Sequence, residues 1–193
     1  MKRLFAAPLL AAALAAPASA DTFVIDKNHS DTSFTIRHLM SKVSGSFNDF
    51  SGTIEGDPAK PGDAKVEFTI KAASIDTRNE QRDGHLRSND FLAMDEYPEI
   101  TFVSTGVRST GATGLELTGD LTIKGVTNAV TIPFEFEGAA TDPFGNLRAG
   151  FEGSVSINRK DYGITWNAAL ETGGVLVGDK IVLEFEVSAI KSV

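Results

Sequence analysis

The sequence has no cysteine. That excludes disulfides, thiol nucleophiles, cysteine-based zinc sites and iron–sulfur clusters, so the fold must be held by its core alone. Histidine is nearly as scarce. His29, His38 and His85 fall in no H-E-x-x-H or comparable spacing, so no metal motif is present. There is no G-x-S-x-G elbow, P-loop or G-x-G-x-x-G fingerprint. His29-Ser30-Asp31 contains the residue types of a triad, but neighbours on a strand point to opposite faces. Nothing therefore points to an enzyme, to a catalytic residue or to a cofactor. Basic residues are also few, 18 against 26 acidic ones, and the net charge is −8. Such a chain repels phosphate backbones, which argues against nucleic acid, and gains no electrostatic attraction to anionic membranes.

Long apolar runs are absent except at the start. Lys2 and Arg3 precede an apolar stretch from Leu4 to about Ala16, and Ala18-Ser19-Ala20 has the small-x-small form of a signal-peptidase site. The run is shorter than the roughly 20 residues a membrane span needs. The expectation is a signal peptide over residues 1–20, cleaved between Ala20 and Asp21, and a mature form without a transmembrane segment, free in the periplasm or secreted. Residues 21–193 suit one domain.

Within that domain apolar and polar residues alternate repeatedly, the period of half-buried strands. Phe34, Ile36, His38 and Met40 share one face of a run. So do Val66, Phe68 and Ile70; Leu115, Leu117, Gly119, Leu121 and Ile123; Val130, Ile132, Phe134 and Phe136; Phe151, Val155 and Ile157; and Ile181, Leu183, Phe185 and Val187. Shorter candidates lie at 22–26, 45–56 and 99–105. Turn chemistry separates the runs at 57–63, at 110–114, at Lys124-Gly125 and at 142–146. Pro133 marks an edge strand or a bulge. One segment breaks the period: Thr77-Arg78-Asn79-Glu80 reads as a capping box, predicting one short helix near residues 78–92, with Gly84 as a point of interruption. Residues 160–174 are aperiodic. About eight strands with one helix predict an all-β barrel or sandwich. An eight-stranded barrel is either filled by its side chains or holds one ligand, and periodicity does not separate the two.

The residues resemble a known family. His29 with Phe34-x-Ile36-x-His38, then Gly45-x-Phe47-x-x-Phe50-x-Gly52, Ser74-Ile75-Asp76-Thr77, Arg82-Asp83-Gly84-His85-Leu86-Arg87-Ser88-Asn89-Asp90-Phe91-Leu92, Tyr97-Pro98, Gly119-Asp120-Leu121-Thr122-Ile123-Lys124-Gly125, Asp142-Pro143-Phe144-Gly145 and Asp161-Tyr162-Gly163-Ile164 run in the order found in the YceI-like, polyisoprenoid-binding family. The resemblance implies a lipocalin-like extended antiparallel β-barrel. It implies binding, carriage or storage of a long-chain isoprenoid lipid, prenyl pyrophosphate or quinone-like, as the ligand. It also implies a periplasmic setting and a candidate homodimer.

On that reading the inward-facing sets line the lipid site: Phe34, Ile36, Phe47, Ile54, Phe68, Ile70, Phe102, Leu121, Ile123, Ile132, Phe134, Phe151, Val155, Ile157 and Phe185, with Trp166 at a mouth or as a plug. For each, ordinary core packing competes with ligand contact. His38, Arg82, His85 and Arg87 are the candidate head-group contacts, with arginine supplying forked donors to a pyrophosphate. The competing reading makes Arg82, Asp83, His85 and Arg87 a network that docks the helix over one barrel end, and His38 a satisfied buried histidine. Two other functions stay open: a non-catalytic envelope-stress interaction module with a filled core, and an enzyme with His38 as base.

Overall fold

The computed structural model describes residues 21–57, 60–169 and 175–192; the proposed signal peptide, with its cleavage site, lies outside them. Eleven strands form one antiparallel sheet: β1 (Asp21–Ile25), β2 (Asp31–His38), β3 (Ser41–Phe47), β4 (Phe50–Gly56), β5 (Lys65–Lys71), β6 (Ile75–Asp76), β7 (Glu99–Ser109), β8 (Gly114–Ile123), β9 (Val126–Thr141), β10 (Leu147–Asn158) and β11 (Val177–Lys191). The helix α1 spans Glu80–Arg87.

Short interruptions explain why eleven strands build an eight-stranded closed barrel. A 3₁₀ turn at Lys27–His29 divides β1 from β2, and another at Ala72–Ser74 divides β5 from β6. The pairs β1/β2, β3/β4 and β5/β6 each act as one long bent stave. β1 pairs with β4 while β2 pairs with β3, and β11 closes the cylinder by pairing with β10 on one edge and with both β1 and β2 on the other. The first break is fixed locally: the Asp26 carboxylate accepts from Asn28 N at 3.1 Å and lies 2.7 Å from His29 Nδ1.

The alternating sets face inward as their period requires, with two exceptions in detail. β2 ends at His38, so Met40 is not on its inner face; it sits in the hairpin turn, 91% exposed. Pro133 lies within β9, whose residues 126–135 pair with β8. Its pairing with β10, with a register shift beside Gly150, runs from Thr141 back to Phe134, so Pro133 lies just beyond the stretch paired with β10. A residue lacking an N–H is tolerated there.

The helix is shorter than the sequence pattern and differently capped. Asn79 is the N-cap, its side chain accepting from Arg82 N at 3.0 Å. The Thr77 hydroxyl is committed elsewhere, to the buried Asp83 carboxylate, which also accepts Thr77 N at 2.9 Å. Gly84 lies within an unbroken helix. After Arg87 the chain turns through residues 88–96 into β7, and Phe91 and Leu92 are buried there.

Candidate ligand-binding cavity

The interior is not filled. A cavity of about 670 Å³ runs along the barrel. At roughly 30 Å³ per water-sized group it holds on the order of twenty such groups or more. Glycine explains much of the space. Gly45 faces Phe34 across β2–β3, Gly52 faces Phe68 across β4–β5, and Gly153 faces Phe134 across β9–β10. A Cβ on any of these glycines would fall 2.8 Å or less from the ring, and Gly119 stands in the same relation to Phe102. The aromatic rings lie against the wall, over the bare backbone, rather than across the axis. Phe68, Phe134 and Phe185 continue this lining, with centroids 6.1 and 6.3 Å apart.

Of the apolar residues assigned from alternation, Phe34, Ile36, Phe47, Ile54, Phe68, Ile70, Phe102, Leu121, Ile123, Ile132, Phe134, Phe151, Ile157 and Phe185 line the cavity, as does Trp166. Val155 does not; it is half-buried and packs against the core. Sequence reasoning missed Thr32, Phe91, Arg159, Tyr162 and Ile164, all on the wall. For Thr32 the signal was available: it shares the inward register of Phe34 and Ile36, but a threonine reads as a solvent-facing residue. It is 2% exposed, and its Oγ1 is the one buried side-chain polar atom without a partner among the described residues.

Polar groups gather at one end, around α1. His38, Asn79, Gln81, Arg82 and His85 reach the cavity there. Arg87 does not; it donates to Ala73 O and Ile75 O, both at 2.9 Å, and so ties α1 to β6. Arg82 donates from Nε to Thr77 Oγ1 at 2.7 Å and from Nη2 to Thr77 O at 2.9 Å. His85 Nε2 lies 2.9 Å from Asp90 Oδ2, and its ring stands edge-on to both Phe91 and Trp166, at 5.0 and 4.8 Å. Arg82, Asp83, His85 and Arg87 thus form a helix-docking network, in which Arg82 and Arg87 each commit two donors to backbone or hydroxyl oxygens.

Arg159 is the largest surprise. It is 1% exposed, at the start of the aperiodic segment. Its guanidinium donates to Gly178 O at 2.9 Å and to Ile164 O and Trp166 O at 2.8 Å each, with Asp179 at 3.4 Å. Burial pushes its pKa down and the Asp179 charge opposes that. Buried charges persist only when so partnered. This one fastens the 159–166 segment, and hence Trp166, to β11. At the opposite end Arg148 joins Asp26 at 2.7 Å and Asp142 at 2.8 Å, tying the β1–β2 break to the β9–β10 turn. The Arg148 guanidinium is the main cause holding both carboxyls below the ordinary carboxylate range.

Among the described residues no group of three or more His, Asp or Glu is placed to hold a metal ion, and no helix is long and apolar enough to cross a membrane.

Comparison with known proteins agrees with this architecture. Residues 23–189 match the family model described as the YceI-like domain. A UPF0312 protein of Staphylococcus aureus (strain MSSA476) is 45% identical over 169 residues, covering 86% of this chain and 95% of the relative. The crystal structure of Burkholderia cenocepacia BcnA superposes with a TM-score of 0.75 at 26% identity, over 85% of this chain and 98% of that one. A polyisoprenoid binding domain from Saccharophagus degradans, implicated in plant cell wall breakdown, has the same fold: TM-score 0.68 at 13% identity, over 88% of this chain and 98% of that one.

Proposed function

The chain belongs to the YceI-like family, and we propose that it binds a long-chain isoprenoid lipid inside the barrel and carries or stores it in the periplasm without chemical change. The observation that carries this reading is the apolar cavity of about 670 Å³. An apolar chain gains about 25 cal/mol for each Å² taken out of water, so burial alone supplies ample affinity even after the costs of association. The filled core that the interaction-module reading requires is the point at which that reading and this fold part. The S. degradans domain, named for polyisoprenoid binding, has the same barrel.

The head group is the finer question. Arg82 reaches the lumen but is bonded to Thr77, and Arg87 is turned to β6, so among the described residues α1 presents no pair of arginines to a head group. The geometry favours a tail held inside and a head that is uncharged or left at the mouth near His38 and His85. A pyrophosphate finds less there than a quinone or an alcohol.

The test is extraction of the protein, purified from the periplasmic fraction without detergent, followed by mass spectrometry of the organic phase. Near-stoichiometric isoprenoid is expected, together with a mature N-terminus at Asp21. Trp166, the single tryptophan, reports binding independently. Its fluorescence should change saturably as geranylgeraniol is added to delipidated protein. No extracted lipid and no response to the added prenol would overturn the proposal.

A further inference from the structure

The β2–β3 hairpin closes in two residues. His38 pairs with Ser41, which leaves Leu39 and Met40 as the turn. Leu39 has φ of 50°. A two-residue turn with positive φ at its first position alone favours glycine there, because a side chain at positive φ is strained. Burial does not compensate: Leu39 is 42% exposed and Met40 91%. Val175, 55% exposed, adjoins them, since Leu39 N donates to Leu176 O at 3.0 Å. The chain thus accepts strain to hold three apolar side chains in water at one tip.

Two features say what the tip meets. It borders the polar end of the cavity, where His38, Leu176 and Val177 form the wall. It is also ringed by cations. Arg37 and Lys42 face each other across the hairpin, and Gly178 of β11 lies against Arg37. Lys180 follows in the stretch of β11 between its Val177–His38 and Ile181–Ile36 pairings. All three cations are exposed and have no acidic partner among the described residues; the nearby Asp179 is taken by Lys160 and Arg159. The net charge of −8 resides mostly elsewhere, and beyond a screening length of about 8 Å it counts for little at a contact.

We propose that this tip anchors the barrel to an anionic lipid bilayer. Leu39, Met40 and Val175 enter the interfacial layer, and Arg37, Lys42 and Lys180 lie against head-group phosphates. The adjoining mouth is then held to the membrane, so that a hydrocarbon chain passes between bilayer and barrel without crossing water. Apolar insertion combined with a basic collar is the general recipe for peripheral attachment. A protein partner fits less well, because three side chains on a convex tip supply little of the roughly 800 Å² per partner that a stable interface needs. The proposal rests on the isoprenoid reading for its purpose, not for its existence.

The experiment is co-sedimentation of the mature chain with vesicles of phosphatidylethanolamine and phosphatidylglycerol, and with phosphatidylcholine vesicles as reference. Binding to the phosphatidylglycerol vesicles is expected, weakening as salt is raised. Leu39→Gly with Met40→Asn puts glycine at the positive-φ position, so the fold should be as stable as before or more so, while vesicle binding falls at least tenfold. Arg37→Ser and Lys42→Ser should each weaken it about fivefold, the value of one basic residue near an anionic surface. Phe144→Ser, at an exposed tip at the other end, should change nothing. Absence of vesicle binding, full binding by the Leu39/Met40 variant, or an equal loss with Phe144→Ser would overturn the proposal. So would a shift from dimer to monomer in the Leu39/Met40 variant with vesicle binding retained, which would make the tip a contact between copies. Geranylgeraniol delivered from detergent separates the two claims. Prenol bound normally without vesicle binding removes the anchor alone. Tip-dependent vesicle binding without any prenol binding upholds the anchor and removes the isoprenoid reading.

Discussion

Gly153→Ala tests why the barrel is hollow. The new methyl carbon would lie 2.5, 2.6 and 2.8 Å from three ring atoms of Phe134, its nearest neighbours. Carbon contacts settle at about 3.5–4.0 Å, so the ring must retreat by about 1 Å. Phe185 stands 6.1 Å away on one side and is itself wedged against Phe68, which leaves the lumen as the direction of escape. Overpacking of this kind costs about 1–3 kcal/mol. Stiffening the unfolded chain returns about 0.4–1 kcal/mol. The net expectation is a loss of roughly 0.5–2 kcal/mol, together with weaker binding of long prenols. Urea unfolding of delipidated protein should show a lower midpoint at unchanged slope. Gly106→Ala is the internal control: a methyl there meets nothing within 4 Å, so it should be neutral or stabilising by up to about 1 kcal/mol. Phe134→Leu added to Gly153→Ala should recover part of the loss. Should Gly153→Ala prove as stable as Gly106→Ala and bind prenols unchanged, the account of rings laid over glycines is wrong.

Three further outcomes are expected. Arg159→Met leaves the carbonyls of Gly178, Ile164 and Trp166 without their donor, and should lower stability by about 3 kcal/mol or more, with Trp166 fluorescence shifting to the red as its segment loosens. Thr32→Val removes a buried hydroxyl that has no protein partner, so the ligand-free protein should gain roughly 1–3 kcal/mol in the same urea assay. Asp26 and Asp142 titrate below the ordinary carboxylate value when folded. Their stabilisation is therefore complete above about pH 4 and is lost as the pH falls through the folded values. Melting temperatures recorded down the acid limb should decline there, and Arg148→Ala should flatten that decline.

How much of this was legible depended on whether neighbouring residues carried the information. β5, β8 and the inner face of β9 were plain because each alternates over several residues with one side wet. Met40 misled because alternation continued one step past the point where the chain turned. Thr77 misled because threonine and asparagine two positions apart are both good caps, and only the buried Asp83 carboxylate decides which is free. Arg159, Tyr162 and Ile164 lie where alternation fails, and the burial of Arg159 depends on the fold of its own segment and on Gly178 of β11. The hollow interior was hidden for a similar reason. Glycines were visible, but which phenylalanine lies over which glycine is a matter of register between strands.

The joint between the first and last strands governs assembly. Phe23 pairs with Lys191, and the Lys191 ammonium reaches the Asp21 carboxylate at 2.7 Å, so residues at opposite ends of the domain form the final seam. A polypeptide emerging amino-terminus first has an open-edged ribbon until residues 177–191 are made. Such long-range closure is slow, and exposed edges invite pairing with other chains in the meantime. Deleting β11 should therefore yield not a weaker container but an aggregating sheet, and swapping β11 between two molecules is the route by which this architecture would most readily dimerise by mistake.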